Sequence, residues 1–330
     1  MGTVVTIKIY DNDQEGALDA AFDKIHQLAD RITTEQSSSE ISAINAHAGL
    51  EPVQVSDEIY RLLETGLEYS RLAEGSFDIS IGPISSLWRI GFDDARKPGQ
   101  DEIEAVLDLV RYEDVVLDQE KQQVYLKKKG MKLDLGGIAK GYIADEVVKV
   151  LDQFDVTTAI IDLGGNIYVK GHHPTGGSWT VGIQNPVASR GEIIGTVQAV
   201  DQSIVTTGIY ERYLEIDGSR YHHILSPQDG YPFMNEIAGV SVLSEHSTDG
   251  DALSTLVFSK GLQDGMALVE SLEGIEAVFI TRDKRIYLSS GLTERFVQKD
   301  QTFNVHEVGE MSGGARTGSK GVVVPLYPTS

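Results

Sequence analysis

The stretch KLDLGGIAKGYIAD, at residues 132–145, brings a carboxylate, two adjacent glycines and a lysine into one short junction. An apolar, strand-like run ends at Asp134, Gly137 completes the glycine pair, and Lys140 falls in the first turn of a helix predicted over residues 138–154. A helix N-terminus offers free N–H groups and a positive dipole end to an anion, and a lysine is unfavourable there unless an anion is bound. The junction therefore predicts an anion site, with a tight turn and a solvated lysine as the alternative.

A second run, IDLGGN at residues 161–166, nearly repeats the LDLGG of residues 133–137. Its glycines lead into a predicted strand rather than into a helix. Glycine removes the side chain where a ligand approaches the backbone. The two turns, each behind an aspartate, are therefore expected to line one cleft, unless they are two unrelated turns.

A carboxylate and a hydroxyl share one face of the helix predicted in EHSTDGDALSTLVF, at residues 245–258. Asp251 and Thr255 are four residues apart, which is one helical turn. Both are oxygen ligands of the kind that a hard cation such as Mg²⁺ prefers. The alternative is that residues 248–251 only cap the start of their own helix.

Adjacent histidines lie in RYHHILSPQDGYP, where a predicted strand runs into a turn. Neighbouring strand residues point to opposite faces, so only one of His222 and His223 can face a given site. A histidine with a pKa near neutrality is a natural general base, although a hydrogen-bonded structural histidine is the alternative. Nearby, VTTGIYER places Thr206, Thr207 and Gly208 at a strand end, where they can contact a phosphate or complete a turn. Together these features suit Mg²⁺-assisted chemistry on a phosphate or pyrophosphate.

Composition excludes several other classes of function. The chain of 330 residues carries 50 acidic and 28 basic residues, for a net charge of -22, which disfavours a nucleic acid as partner. It has no cysteine, which rules out disulfides, thiolate metal sites and cysteine nucleophiles. An acidic protein can still bind a small anion where local backbone dipoles and a metal ion outweigh its overall field.

The order of the predicted elements indicates an α+β fold. Amphipathic helices are predicted over residues 15–32, 56–75 and 101–112, with Ser56 as an N-cap, and the second half is rich in strands and hairpins. Alternating polarity predicts a half-buried strand in GSFDISIGP, at residues 75–83. We expect mixed and antiparallel sheets with flanking helices rather than a doubly wound parallel sheet.

One boundary is predicted near the C-terminus. We expect residues 1–305 to form a single unit and the Gly/Ser-rich residues 306–330 to form a flexible tail.

The ordered set of these motifs resembles the FAD:protein FMN transferase (ApbE) family. The matching segments are MGT (1–3), SEISAIN (39–45), GSFDISIGPISSLW (75–88), LDLGGIAKGYIAD (133–145), DLGGNIYVKG (162–171), VTTGIYER (205–212), HILSPQDGYP (223–232) and DALSTLVFSKG (251–261). The resemblance implies a single α+β unit with a central dinucleotide cleft. It further implies an Mg²⁺-dependent enzyme that takes FMN from FAD, attaches it through a phosphoester to a Thr or Ser of a target flavoprotein, and releases AMP.

The resemblance also implies roles for individual residues. His223 would be the catalytic base, and Mg²⁺ would be bound by the side chains of Asp251 and Thr255 and the backbone carbonyl of Gly137. The residues that would bind FAD are Met1, Asn45, Ser76, Phe77, Asp78, Asp134, Lys140, Thr206, Thr207 and Gly208.

Two alternatives remain open from the sequence, an Mg²⁺-dependent FAD pyrophosphatase that yields FMN and AMP, and a flavin-binding carrier without turnover. A nicotinamide-dependent enzyme is rejected because GxGxxG is absent. Relatives usually carry a signal or lipoprotein segment before the residues that match MGT. We therefore expect the full-length form to be extracytoplasmic and attached to a membrane only through such an anchor, with a cytoplasmic form as the alternative.

Overall fold

Five of the seven helices described lie within the first 115 residues, and two further helices and most of the strands follow, in a computed structural model that describes residues 3–188 and 191–307. The helices are α1 (Glu15–Ile32), α2 (Glu40–Ala46), α3 (Asp57–Leu72), α4 (Gly82–Trp88), α5 (Gln100–Leu107), α6 (Ala139–Gln153) and α7 (Ser247–Ser271). The predicted FAD contact at Met1 and nearly all of the predicted tail lie outside the described residues.

The strands form one large sheet and three small ones. They are β1 (Thr6–Ile9), β2 (Val53–Gln54), β3 (Val115–Asp118), β4 (Gln123–Leu126), β5 (Ala159–Asp162), β6 (Asn166–Lys170), β7 (Trp179–Gln184), β8 (Ile193–Ala199), β9 (Gln202–Gly208), β10 (Tyr213–Ile216), β11 (Ser219–His222), β12 (Ile237–Ser244), β13 (Glu276–Thr281), β14 (Arg285–Leu288), β15 (Phe296–Gln298) and β16 (Asn304–Glu307). The large sheet has the order β1-β5-β6-β9-β12-β13-β14-β16, and the small sheets are β15-β8-β7, β2-β4-β3 and the hairpin β10-β11. Within the large sheet β14 and β16 pair in parallel and the other neighbours are antiparallel, so the α+β prediction is confirmed.

The large sheet is covered on both faces, which explains why its central strand, β12, is buried at every position. Neighbouring residues of β13 show the two layers: Phe279 points into the core that the helices form, and Val278 points into a second core shared with β7 and β8. The helices therefore pack against one face of the sheet and the β15-β8-β7 sheet packs against the other. This arrangement places α6 and α7 on the helical face of the sheet.

Several local predictions are confirmed. Helix α1 spans the residues whose apolar spacing predicted it, and Ser56 caps α3 by accepting a hydrogen bond from the N–H of Ile59 at 3.5 Å. The β10–β11 hairpin turns at Asp217 and Gly218, whose φ angles are 50° and 75°, as a tight two-residue hairpin requires.

The strand predicted at residues 75–83 is wrong. Asp78 accepts hydrogen bonds from the N–H of Ser80 at 2.7 Å and the N–H of Tyr112 at 3.0 Å, which turns the chain before α4 begins. Only Ile81 makes a bridge, an isolated parallel one with Lys132. The alternation of apolar and polar residues in this segment belongs to a loop that the Asp78 carboxylate holds in place, not to a strand.

The strand predicted before Asp134 is also wrong, because a side chain takes the place of a neighbouring strand. Asn45 of α2 donates from Nδ2 to the carbonyl of Leu133 at 3.1 Å and accepts from the N–H of Leu133 at 2.7 Å. The amide thus satisfies both backbone groups of Leu133. The following helix is confirmed as α6.

None of the helices within residues 3–188 and 191–307 combines the length and the apolar composition that a membrane span requires.

Candidate active site

Asp251 is the fifth residue of α7 and is almost completely buried, with 2 % of its surface exposed. Its Oδ1 lies 3.0 Å from Nζ of Lys140, and its Oδ2 accepts a hydrogen bond from the N–H of Gly141 at 2.9 Å. The alternative that residues 248–251 cap their own helix is therefore wrong for Asp251. Its carboxylate serves the N-terminus of α6, where the glycine-rich junction ends.

Thr255 lies one turn after Asp251 in α7, so the two side chains share a face as predicted. A Cβ atom at Gly137 would lie 3.4 Å from Oγ1 of Thr255 and 3.0 Å from Cε2 of Phe77. The backbone of Gly137 thus passes directly beside Thr255 and under the Phe77 ring. Three segments that are far apart in the sequence thus meet here: the loop with Phe77, the junction with Gly137 and Lys140, and helix α7 with Asp251 and Thr255.

The chemistry of this donor set fits Mg²⁺. It offers one carboxylate, one hydroxyl and the adjacent backbone of Gly137, which are all hard oxygen ligands. Within the described ranges no group of three or more His, Cys, Asp or Glu side chains could cage a metal. Mg²⁺ does not need such a cage, because it is usually held by one or two carboxylates together with water and substrate phosphate oxygens. The ammonium of Lys140 occupies the position beside Oδ1 of Asp251 that a bound cation would otherwise take.

The hydroxyls of β9 connect this region to the second glycine pair. Thr207 pairs through Oγ1 with Oγ of Ser254 at 2.7 Å, and Ser254 donates to the carbonyl of Asp251 at 2.9 Å. Thr206 donates its N–H to the carbonyl of Gly165 at 3.3 Å. A Cβ at Gly165 would have no atom within 4 Å, so this turn borders open space. Adjacent residues of β9 thus contact the Gly165 turn and α7, and that the two DLGG turns line one cleft stays a prediction.

Other β9 contacts are structural. Oγ1 of Thr206 lies 2.7 Å from Oγ of Ser241 on the neighbouring strand. At Gly208 a Cβ would lie 2.2 Å from the Tyr210 ring, so only glycine fits beneath that ring.

His222 is a structural histidine. Its ring is buried, Nε2 lies 2.8 Å from the carbonyl of Phe233, and Nδ1 accepts from the N–H of Ile224 at 3.3 Å. Both nitrogens are therefore engaged by backbone groups. Burial lowers the pKa of His222 to about 4, which keeps the ring neutral at pH 7.

His223 lies one residue beyond β11 and has a different environment. Its Nδ1 lies 3.1 Å from the carbonyl oxygen of Arg212, and because a carbonyl only accepts, Nδ1 carries the proton and Nε2 is the basic nitrogen. Burial of the ring lowers the pKa of His223 to about 4, and the positive charges of Arg212 and Lys140 act in the same direction, although part of the residue still reaches solvent.

The carboxylates predicted to bind FAD at Asp78 and Asp134 are engaged within the chain. Asp134 accepts from the N–H of Gly136 at 2.9 Å and from the hydroxyl of Ser85 at 2.6 Å. Asp78 holds Ser80 and Tyr112, and its burial raises its pKa. These residues shape the loops of the cleft, and their contact with FAD stays a prediction.

Two further residues predicted to bind FAD, Ser76 and Asn45, are also engaged by hydrogen bonds within the chain. Ser76 donates its hydroxyl to the carbonyl of Ala73 at 2.9 Å, and Asn45 is used by Leu133 as described above. Both lie in loops or helices beside the cleft, and their contact with flavin is likewise untested.

No role was predicted for Asp145, which lies in the same stretch, residues 132–145, as Lys140. Its carboxylate accepts from the N–H groups of Ser247 at 2.7 Å and Thr248 at 2.8 Å, at the start of α7. One signal was available: Asp145 follows Gly141 by four residues and therefore shares its helical face. The partner helix lies about a hundred residues away in sequence and no local pattern identifies it.

The α+β fold places a helix N-terminus and a lysine against the face of a second helix that carries a carboxylate and a hydroxyl. Residues 1–279 match the sequence model of the ApbE family. The chain is 41% identical over 305 residues to an FAD:protein FMN transferase of Klebsiella pneumoniae, covering 92% of this chain and 94% of that protein. It is 34% identical over 320 residues to an FAD:protein FMN transferase of Treponema pallidum, covering 92% of this chain and 88% of that protein.

The comparison of three-dimensional structures also finds an ApbE protein. The crystal structure of an ApbE protein from Thermotoga maritima superimposes with a TM-score of 0.82 at 28% identity, covering 91% of this chain and 97% of that one. The chain belongs to the ApbE family and is, by class, a transferase.

Proposed function

We propose that this chain is an Mg²⁺-dependent FAD:protein FMN transferase, which attaches FMN through a phosphoester to a Thr or Ser hydroxyl of an acceptor flavoprotein and releases AMP. The observation that carries the proposal is the convergence of Gly137, Lys140, Asp251 and Thr255 at the N-terminus of α6 in a member of the ApbE family. The named activity of the relatives from Klebsiella and Treponema supports the choice of FAD as donor.

Asp251, Thr255 and the carbonyl of Gly137 would hold Mg²⁺. When bound, the ion supplies positive charge that polarises the pyrophosphate and stabilises the departing AMP. Lys140 lies at the N-terminus of α6, where its ammonium and the positive dipole end of the helix would both favour bound phosphate. Phe77, lying against Gly137, excludes water from that side of the site.

The reaction is an in-line displacement at the phosphorus on the FMN side of FAD. The acceptor hydroxyl oxygen forms the new P–O bond, the anhydride P–O bond breaks, and AMP leaves with the electron pair. Nε2 of His223 takes the hydroxyl proton, because Nδ1 keeps its own proton in the hydrogen bond to the backbone carbonyl of Arg212. A base with a pKa of about 4 is weak, but burial keeps the His223 ring neutral at pH 7, so Nε2 is able to accept the proton.

The test is to incubate the protein with FAD and Mg²⁺, with and without candidate acceptor flavoproteins that carry an exposed Thr or Ser, and to follow acceptor mass and AMP together. A transferase adds one FMN to the acceptor and releases one AMP. AMP release that is independent of acceptor identifies a pyrophosphatase instead, and FAD binding with neither product identifies a carrier.

Asp251→Asn is the decisive variant, with Asp264→Asn as its control because Asp264 is an exposed carboxylate of α7 beyond the kink at Gly261, in the segment that carries none of the proposed ligands. We expect Asp251→Asn to lose Mg²⁺-dependent transfer while retaining its circular dichroism spectrum. Full transfer by Asp251→Asn at ordinary Mg²⁺ concentration would refute the metal role.

A further inference from the structure

Helices α6 and α7 meet at their N-terminal ends, and neither has a side-chain cap of its own. The residue before α6 is the apolar Ile138, and His246 before α7 makes no side-chain cap hydrogen bond. The N–H groups in the first turn of a helix have no partner within that helix and need acceptors from elsewhere. Here the acceptors come from the other helix.

The two helices cap each other. Asp145 of α6 accepts from the N–H of Ser247 at 2.7 Å, and from the N–H of Thr248 at 2.8 Å and its hydroxyl at 2.5 Å. Asp251 of α7 accepts in return from the N–H of Gly141 at 2.9 Å. Each carboxylate therefore satisfies the first turn of the opposite helix and lies at its positive dipole end.

The spacing on the two helices is the same. Asp145 follows Gly141 by four residues, and Asp251 follows Ser247 by four, so each helix presents a backbone donor and a carboxylate on one face. A Cβ at Gly141 would lie 2.2 Å from the carbonyl oxygen of Ser247. The backbones are thus in direct contact, and a shift of one first turn moves the other.

We propose that Asp145 is a positioning residue for the metal-binding face of α7. By capping the first turn of that helix, it fixes where Asp251 and Thr255 stand relative to Gly137 and Lys140. The inference rests on the proposed function and adds a residue to its site. Asp145 itself touches neither of the two metal-binding side chains.

A purely structural cap would affect stability alone, so the readout is metal affinity. Binding of Mn²⁺, a spectroscopic substitute for Mg²⁺, is measured by electron paramagnetic resonance on the whole chain without FAD. We expect Asp145→Asn, which places an N–H donor against the donors of α7, to weaken Mn²⁺ binding at least tenfold. The Mg²⁺ concentration for half-maximal FMN transfer should rise by a similar factor, and Asp145→Glu, which keeps the charge, should recover most of the loss.

The control is Ser56→Ala, which removes the N-cap of α3, a helix that carries none of the proposed ligands. It should lower the melting temperature without changing Mn²⁺ affinity. If Asp145→Asn fails to fold, Thr248→Val replaces it, because this change removes only the hydroxyl donor to Asp145, and a smaller shift in the same direction is expected.

Wild-type Mn²⁺ affinity in a folded Asp145→Asn or in Thr248→Val would overturn the positioning role, as would an equal loss in Ser56→Ala. Failure of the wild-type protein to bind Mn²⁺ would overturn it together with the metal site. If the wild type binds Mn²⁺ but transfers no FMN, the proposed function fails while the comparison of metal affinities still decides the role of Asp145.

Discussion

At the scale of single residues, two adjacent histidines have different roles, one structural and the other proposed to be catalytic. The alternation of a strand predicted that they point apart, but it could not say which one faces the site. The hydrogen bonds distinguish them: both nitrogens of His222 are used by backbone groups, whereas His223 uses Nδ1 alone and leaves Nε2 as the basic atom. Their roles therefore separate in mutants.

His223→Ala should lower the rate of FMN transfer by about 10²–10⁴-fold, the usual contribution of a general base, while FAD binding and melting temperature change little. His222→Ala should instead lose stability, by about 1–3 kcal/mol, because it leaves backbone groups of the buried loop without partners. Transfer rates, flavin fluorescence titrations and thermal melts on both variants test the assignment. Equal loss of transfer per folded molecule in the two variants would contradict it.

The low pKa of His222 makes stability depend on pH. The ordinary pKa of histidine is 6.5, and the folded value is about 4, so the unfolded chain binds the proton more readily between these limits. The contribution of neutral His222 is present in full above pH 6.5 and is lost as the pH falls towards 4, by up to about 3 kcal/mol.

Urea unfolding at pH 7 and pH 4.5 measures this effect, with His222→Gln as the comparison because glutamine donates and accepts but does not titrate. The fall in unfolding free energy between the two pH values should be smaller in His222→Gln than in the wild type. An identical fall in both would show that His222 does not titrate in this way.

At the scale of elements, the crossing of α6 and α7 depends on one glycine. Gly141→Ala should destabilise the protein by about 1–3 kcal/mol, because its Cβ would lie 2.2 Å from the carbonyl oxygen of Ser247 and the helices must separate. The matched control is Gly16→Ala in α1, where a Cβ would make an ordinary contact of 3.5 Å with Phe154. That control should gain up to about 1 kcal/mol from better helix propensity.

Free energies of unfolding from urea titrations decide this prediction. A Gly141→Ala variant as stable as the Gly16→Ala control would mean that the two backbones do not pack as closely as described.

The same scale shows how far the sequence could predict the fold. Helix α1 and the hairpin at Asp217–Gly218 were predictable because apolar periodicity and turn residues act within a few positions. The two false strands failed because side-chain hydrogen bonds decided those segments. Asp78 turns its own segment by accepting from Ser80 and Tyr112, and Asn45 satisfies Leu133 across 88 residues. Likewise Asp251 and Thr255 were identified by their spacing, whereas Asp145 depends on a partner 102 residues away.

At the scale of the whole molecule, a protein with a net charge of -22 is proposed to bind an anionic dinucleotide. The overall field opposes binding, and only local features favour it: the N-terminus of α6, Lys140 and the proposed metal ion. Lys140 is already paired with Asp251 at 3.0 Å, so its charge is largely balanced in the free protein. Under the proposed function, Mg²⁺ would therefore balance charge as well as assist the reaction.

This balance of charges predicts that salt affects FAD binding differently with and without the metal ion. Dissolved salt screens exposed charges beyond a Debye length of about 8 Å at physiological ionic strength, and screens buried contacts much less. Without Mg²⁺, FAD meets the unbalanced acidic field, so added KCl should strengthen its binding. With saturating Mg²⁺ the bound complex is closer to neutral and added KCl should change the affinity little. Flavin fluorescence titrations over a KCl series, in EDTA and in Mg²⁺, measure both slopes. An affinity that falls steeply with salt in both series would show that exposed cations, rather than the metal ion and the half-buried N-terminus of α6, hold the dinucleotide.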